Sequence, residues 1–248
     1  MSQRTPTRGQ SERDGARPRS IGSSLANGLH AARTLKRPRR KKKTTAGALI
    51  ELVLIIAVAL GLALAIQAWI VKPYRIPSGS MEPTLSVGQR VLVDRIGMDF
   101  SDPSVGDIAV FHPPRDAEQQ VCGPVPHIVH PGGAACAQPE TAQSSVNFIK
   151  RIVAGPGDEI KILGGHVYRR AHGVGAFVRE HDSYIKQCGE NVECNFPVAI
   201  KIPPGHWFMM GDNRGESDDS RFWGPVPTGW IIGAAFATYW PPDRIGIL

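Results

Sequence analysis

Residues 148–163, FIKRIVAGPGDEIKIL, contain two short runs typical of β-strands on either side of a Gly-Pro-Gly-Asp turn. Branched apolar residues favour strands, and glycine with proline between two such runs indicates a change of chain direction. Similar runs recur at Arg90–Arg95, Asp107–Phe111, Val198–Ile202, Trp207–Met210 and Ile231–Tyr239. Many short strands with Gly/Pro turns, and no long amphipathic helical period, predict a mainly β domain over residues 73–248.

One segment of this domain, residues 112–147, has little periodicity, and we expect a long loop there. The four cysteines of the chain are Cys122, Cys136, Cys188 and Cys194. An even number suggests two disulfides in an oxidising compartment, and of the three possible connectivities 122–136 with 188–194 closes the shortest loops. His127 and His130 lie between the first two cysteines, so a Cys/His zinc site is the alternative, although the spacing matches no zinc pattern.

A long apolar run precedes the β domain. Residues 52–71, LVLIIAVALGLALAIQAWIV, carry no formal charge and would span about 30 Å as a helix, the thickness of one hydrocarbon core. We therefore predict a retained transmembrane anchor at residues 46–72. A cleaved signal peptide is the competing interpretation, but it would be shorter and nearer the start of the chain. The small-residue pattern Ala63-Leu64-Ala65 lies inside the apolar run and not after it.

The positive charge of the chain is concentrated in residues 1–45, which hold 13 Lys/Arg and 2 Asp/Glu, whereas the remainder has a net charge of −4. We expect this tail to be disordered because it has few large apolar residues. The acidic balance of the remainder argues against a nucleic-acid-binding protein. Residues 33–45 carry 8 Lys/Arg against 3 in residues 72–90, which predicts a cytoplasmic tail and an extracytoplasmic domain in a cell membrane, spanned once.

Four segments carry residues suited to chemistry: 76–85 (IPSGSMEPTL), 105–111 (VGDIAVF), 148–158 (FIKRIVAGPGD) and 211–224 (GDNRGESDDSRFWG). Taken singly, each has an ordinary structural explanation, because Ser-Gly-Ser between prolines is commonly a turn and a lysine in an apolar strand commonly faces solvent. None of the eight histidines lies in these segments, which argues against a Ser-His-Asp triad.

In order and spacing the four segments resemble the conserved boxes of bacterial type I signal peptidases, the Ser–Lys leader peptidases. The resemblance covers about residues 46–248 and implies coiled antiparallel sheets with an apolar, membrane-facing surface. It also implies a membrane-bound serine endopeptidase that removes signal peptides from exported preproteins after small residues at −3 and −1. The implied roles are Ser80 as nucleophile, Lys150 as general base, Ser78 as an oxyanion-hole donor beside the Ser80 N–H, Ser217 as the hydroxyl that orients the lysine, and Asp219 with Arg221 as a supporting charged pair.

The roles that the resemblance implies for Ser80 and Lys150 are consistent with the chemistry of serine and lysine. A serine hydroxyl needs a base, and lysine can serve only when it is neutral. Burial disfavours the ammonium and lowers its pKa, and the apolar neighbours of Lys150 could supply that environment. As walls of the substrate pocket the candidates are Met81, Phe148 and Ile149.

Two other functions remain open from the sequence. One is a Ser–Lys protease dedicated to a single pilus- or conjugation-linked substrate. The other is a non-catalytic anchored binding protein, which the intact Ser80, Lys150, Ser78 and Ser217 set disfavours. We predict no metal or other cofactor, preproteins and membrane lipid as partners, and a monomer.

Overall fold

The computed structural model describes residues 44–123, 133–188 and 194–248. The predicted tail and the two histidines of the zinc alternative, His127 and His130, lie outside these residues. The first element is helix α1, Thr45–Trp69. It is apolar all round and exposed, and its stretch Thr45–Gln67 is, within the described part of the chain, the one helix long and apolar enough to cross a membrane.

The anchor predicted at residues 46–72 differs from this helix at its C-terminal end. The helix stops at Trp69, and Val71 and Lys72 already pair with Asp94 and Val93 in the first strand. The apolar run therefore continues into β structure. Apolar content alone does not mark this boundary, because the first strand residue is apolar too.

The described residues form twelve strands, all paired antiparallel, in two sheets. The larger sheet has the order β1-β2-β11-β3-β4-β9-β10, with β12 on β11, and the smaller has the order β7-β6-β5-β8. The strands of the larger sheet are β1 Val71–Arg75, β2 Arg90–Asp94, β3 Ile108–Phe111, β4 Phe148–Ala154, β9 His206–Met210, β10 Val226–Pro227, β11 Ile231–Trp240 and β12 Gly246–Ile247. Those of the smaller are β5 Glu159–Leu163, β6 His166–Arg170, β7 Val178–Arg179 and β8 Phe196–Lys201. Two short helices complete the described fold, α2 Gly97–Phe100 and α3 Ser220–Trp223.

The mainly β prediction is confirmed, and each of the seven predicted runs overlaps a strand. Strand β4 crosses the middle of the larger sheet, and after a turn that contains Gly157 at positive φ the chain enters β5 of the smaller sheet. The described residues of the 112–147 loop contain no strand, as predicted. They form a 3-10 turn at Ala117–Gln119 and isolated bridges.

Within the described ranges, the buried apolar residues form two clusters. The larger includes residues from both sheets, among them Phe111, Ile152, Ile160 and Phe208. The smaller lies under the chain that follows β1 and consists of Ile76, Met81, Leu85, Val91, Val93, Ile108, Val110, Ile149 and Ala235. Strand β4 contributes to both clusters, so its polar side chains have fixed surroundings.

Candidate active site

The first box forms a 3-10 turn, Gly79–Met81, directly after β1. Met81 is fully buried in the smaller cluster and anchors the turn from below. Asn213 holds it from the side, because its backbone N–H donates to Ser80 O at 3.0 Å and its amide Nδ2 donates to Gly79 O at 3.1 Å. Ser80 is therefore fixed by contacts on two sides, and its side chain faces β4.

Lys150 lies in the middle of β4, opposite Ala109 of β3, and is 4% exposed. Its Nζ is 2.6 Å from Ser80 Oγ. Burial lowers the pKa of Lys150 to about 8, and the nearby carboxylates of Asp219 and Asp218 oppose part of that shift. A lysine in this environment is neutral in a substantial fraction of molecules near pH 8, and it lies within hydrogen-bond distance of a serine hydroxyl.

Ser78 is the third hydroxyl group near this pair. Its Oγ donates a hydrogen bond to Ser80 Oγ at 3.3 Å, and its side chain is exposed. The Ser78 hydroxyl therefore lies on the exposed side of the turn that carries Ser80.

Asp219 and Arg221 form a buried, two-pronged ion pair. Arg221 Nε donates to Asp219 Oδ1 at 2.7 Å, and Nη2 donates to Oδ2 at 2.9 Å. Asp219 also caps α3 by accepting from the Arg221 backbone N–H, and it accepts from Gly211 N at 3.0 Å. Burial acts to raise the pKa of Asp219, but the pairing with Arg221 and the Gly211 hydrogen bond outweigh it and hold that pKa below its usual value.

Ser217 departs from the expectation that its hydroxyl orients the lysine. Its Oγ is buried but makes no hydrogen bond to Lys150 or to any other described residue. Ser217 nevertheless lies against the turn Gly79–Met81. A Cβ at Gly211 would come within 2.2 Å of Ser217 Oγ and 2.4 Å of Ser80 O, so only glycine fits between them. The Ser217 hydroxyl is close to the site, but in this structure the Lys150 amine forms its hydrogen bond with Ser80 instead.

A second ion pair near the site carried no predicted role. Arg151, the neighbour of Lys150, donates from Nε and Nη2 to Asp212 at 2.9 and 2.7 Å, and Thr84 Oγ1 donates to the same carboxylate at 2.5 Å. The Arg151 guanidinium stacks on the Tyr184 ring, with Cζ 4.0 Å from the ring centre. Asp212 therefore ties the first, third and fourth boxes together. In the sequence, only the position of Asp212 next to Gly211 in the last box could have indicated this role.

The two disulfides join Cys122 to Cys136 and Cys188 to Cys194. One cysteine of each disulfide contacts Arg221. The Cys136 N–H donates to Arg221 O at 2.9 Å, and Arg221 Nη1 lies 3.8 Å from Cys194 Sγ. No cluster of metal-binding side chains occurs among the residues that the structure describes.

A cleft of about 520 Å³ opens over the Ser80–Lys150 pair. Its walls are Pro77, Ser78, Gly79, Ser80, Glu118, Asn147, Phe148, Ile149, Lys150, Glu216 and Asp218. Phe148 and Ile149 line it as expected, but Met81 does not, because that side chain points into the core. The three acidic residues of the wall were not predicted. A larger cavity of about 730 Å³, which includes Arg95 and Trp230, contains none of the proposed catalytic residues.

Comparison with known proteins places the chain in a family. Residues 49–240 match the family model for signal peptidase, peptidase S26. A probable signal peptidase I-1 from Synechocystis sp. is 37% identical over 78% of this chain and 84% of its own length, and signal peptidase I from Leptolyngbya laminosa is 33% identical over 81% and 84%. A crystal structure of a signal peptidase I from Enterococcus faecalis V583 aligns with a TM-score of 0.29 and 19% identity over 54% of this chain and 97% of that one. The chain therefore belongs to the signal peptidase family, peptidase S26.

Proposed function

We propose that this signal peptidase cleaves exported preproteins with Ser80 as nucleophile and Lys150 as general base. The observation that supports the proposal is the 2.6 Å approach of Lys150 Nζ to Ser80 Oγ at a buried position. A serine hydroxyl is activated by an adjacent base, and a lysine acts as a base when burial has lowered its pKa.

In the acylation step the neutral Lys150 amine takes the proton of Ser80 O–H as Oγ attacks the carbonyl carbon of the scissile bond. The negative charge that develops on the carbonyl oxygen is stabilised by the Ser78 hydroxyl and the Ser80 backbone N–H. When the tetrahedral intermediate collapses, the carbon–nitrogen bond breaks, and the Lys150 ammonium returns its proton to the leaving amine. The mature protein departs, and the signal peptide remains as an ester on Ser80.

Deacylation repeats these roles with water. Lys150 removes a proton from the water as its oxygen attacks the ester carbonyl, and Ser80 leaves with that proton. The signal peptide is released with a free carboxylate, and the enzyme returns to its initial state. The ion pair of Asp219 with Arg221 acts as support, because it holds Gly211 and thereby the turn that carries Ser80.

The proposed specificity is for small residues at −3 and −1. Phe148 and Ile149 supply an apolar wall beside Ser80, which favours apolar over charged side chains, and shallow pockets against that wall would exclude larger ones. The proposed location is a cell membrane, crossed by α1, with the tail in the cytoplasm and the β domain outside. The supporting observation is the excess of Lys/Arg before the helix. We further propose that the enzyme acts as a monomer, because the proposed site is complete within one chain, and that the exposed apolar helix α1 contacts lipid.

The test is cleavage of a precursor with an Ala-X-Ala site by the purified full-length protein. We expect Ser80→Ala and Lys150→Arg to abolish cleavage, because an arginine guanidinium stays protonated and cannot accept the serine proton. Ser183→Ala and Lys161→Arg are the matched controls, since neither residue lines the cleft, and both should retain activity. Turnover by folded Lys150→Arg near that of the parent would remove Lys150 as the base. Cleavage of one precursor among several unrelated ones would favour a dedicated maturation protease instead.

A further inference from the structure

The wall of the catalytic cleft is acidic. Of its charged members, Glu118, Glu216 and Asp218 carry carboxylates, whereas Lys150 is the one cation among the described residues that line it. In the proposed mechanism Lys150 is neutral before each attack, so it does not balance them. Outside the wall, Lys186 lies 3.9 Å from Glu216, which partly offsets that carboxylate. Arg214 and Arg221 line the adjoining pocket with Glu216 and Asp218, but Arg221 is paired with Asp219. Three carboxylates against Lys186 and Arg214 leave a net negative charge, and the substrate peptide must lie beside it.

Glu118 comes from the 112–147 loop, and this part of the loop is anchored at several points. Ala117 is buried in the larger core cluster, and the Gln120 side-chain amide donates to Asp218 Oδ1. Cys122, two residues further on, is covalently joined to Cys136. Glu118 is thus held at the mouth of the cleft by its neighbours, and the loop forms one wall of the catalytic site.

Asp218 lines the cleft together with Ser80 and Lys150. Its charge acts on Lys150 strongly enough to oppose the burial-induced lowering of the lysine pKa. One of its carboxylate oxygens accepts from Gln120, and its side chain is exposed to the cleft. A charged group of the substrate next to Ser80 would be exposed to the same field.

We propose that Glu118 and Asp218 make this signal peptidase select precursors with a basic residue beside the scissile bond, at −2, +1 or +2, and discriminate against an acidic one there. The inference rests on the proposed function, since it assumes that the peptide occupies the cleft over Ser80. The positions −1 and −3 are left out because they are reserved for small side chains. Attraction by each exposed carboxylate changes kcat/KM by up to about fivefold, the size of an exposed ion pair.

The experiment uses the full-length protein in detergent and capped peptides that contain an Ala-X-Ala site. Lys, Gln or Glu is placed in turn at −2, +1 and +2, and kcat/KM is measured for each. We expect the Lys-to-Glu ratio to reach about tenfold at one or more positions and to shrink in 1 M salt, where the screening length is about 3 Å. Glu118→Gln and Asp218→Asn should each lower that ratio several-fold. Glu140→Gln, in the same loop but outside the cleft, is the matched control and should leave it unchanged.

The ratio is taken within one variant, so a partial loss of folded protein does not affect it. A ratio near one in the parent enzyme would overturn the inference, as would a ratio that neither variant lowers or that Glu140→Gln lowers equally. If the Gln peptides are cleaved in a Ser80-dependent manner while the ratio stays near one, the proposed function stands and only the charge selection fails. If no peptide is cleaved, both fail.

Discussion

The pH dependence of cleavage is the sharpest consequence of the buried lysine. Only neutral Lys150 can accept the Ser80 proton, so the rate should follow the neutral fraction of this amine. At an ordinary pKa of 10.5, about one molecule in 3000 would be neutral at pH 7, but at a pKa of about 8 the fraction is about one in eleven. Burial thus raises the population of competent enzyme about 300-fold, which corresponds to about 3 kcal/mol.

The assay is kcat/KM for a capped peptide with no group that titrates between pH 6 and 10. We expect the rate to rise about fivefold from pH 7 to pH 8 and to level off within a further factor of about two above pH 8. Asp218→Asn should move this limb to lower pH, because the aspartate charge favours the ammonium form of Lys150. Glu140→Gln should leave the limb in place. A limb centred near pH 10 would refute the argument, since it would mean that the amine is solvated in the working enzyme.

Three further predictions follow from the same contacts. Lys150→Met should raise the free energy of unfolding at pH 7 by up to about 3 kcal/mol, because it removes a buried ammonium. The folded-state pKa lies below the unfolded one, so this gain should fade between pH 8 and 10.5 in denaturant titrations. Gly211→Ala should abolish most cleavage, because its Cβ would meet the Ser217 hydroxyl, whereas Gly229→Ala, where the space is open, should be active in the same assay. Asp219→Asn should lower the unfolding free energy by about 3 kcal/mol or more in denaturant, since it leaves its partner guanidinium buried without a counter-charge.

The strands that the sequence predicted are rich in branched apolar residues. The strands that it missed lack a clear apolar pattern, for physical reasons. Strand β6, HVYRR, lies in the smaller sheet and carries charged residues that pair with neighbouring side chains. Its alternation of apolar and polar residues is therefore weak. Strand β1 contains Pro73, which is tolerated because β1 is at the edge of the larger sheet. Its first residue also continues the apolar run of the helix, and this masked the boundary.

The site was predictable where it depended on motifs and unpredictable where it depended on packing. Ser80 and Lys150 could be named because their boxes resemble a family, and the structure brings them within 2.6 Å. The hydrogen bond expected from Ser217 depends on the direction of one hydroxyl, which no motif specifies. Met81 was a candidate for the pocket wall, but its side chain is fully buried in the smaller cluster, because a turn sends successive side chains in different directions.

Glu118 could not have been found from its own surroundings in the sequence. It lies in an aperiodic loop, 32 residues before Lys150, and contacts between this loop and distant segments, such as Gln120 with Asp218, bring it to the cleft. Asp212 is a similar case, because its partners Arg151 and Thr84 come from two other boxes. Contacts between distant segments are the property that a linear pattern does not contain.

The short connection between α1 and Ser80 has a kinetic consequence. Eleven residues follow the helix up to and including Ser80, and even a fully extended chain of that length reaches at most about 40 Å. In a bilayer crossed by α1, Ser80 is confined to a layer next to the membrane surface. A precursor held in the same bilayer by its own apolar segment shares that layer, so enzyme and substrate meet by lateral diffusion in two dimensions. Their encounter is governed by surface density and effective concentration, and a weak intrinsic affinity for the cleavage site is then sufficient for turnover.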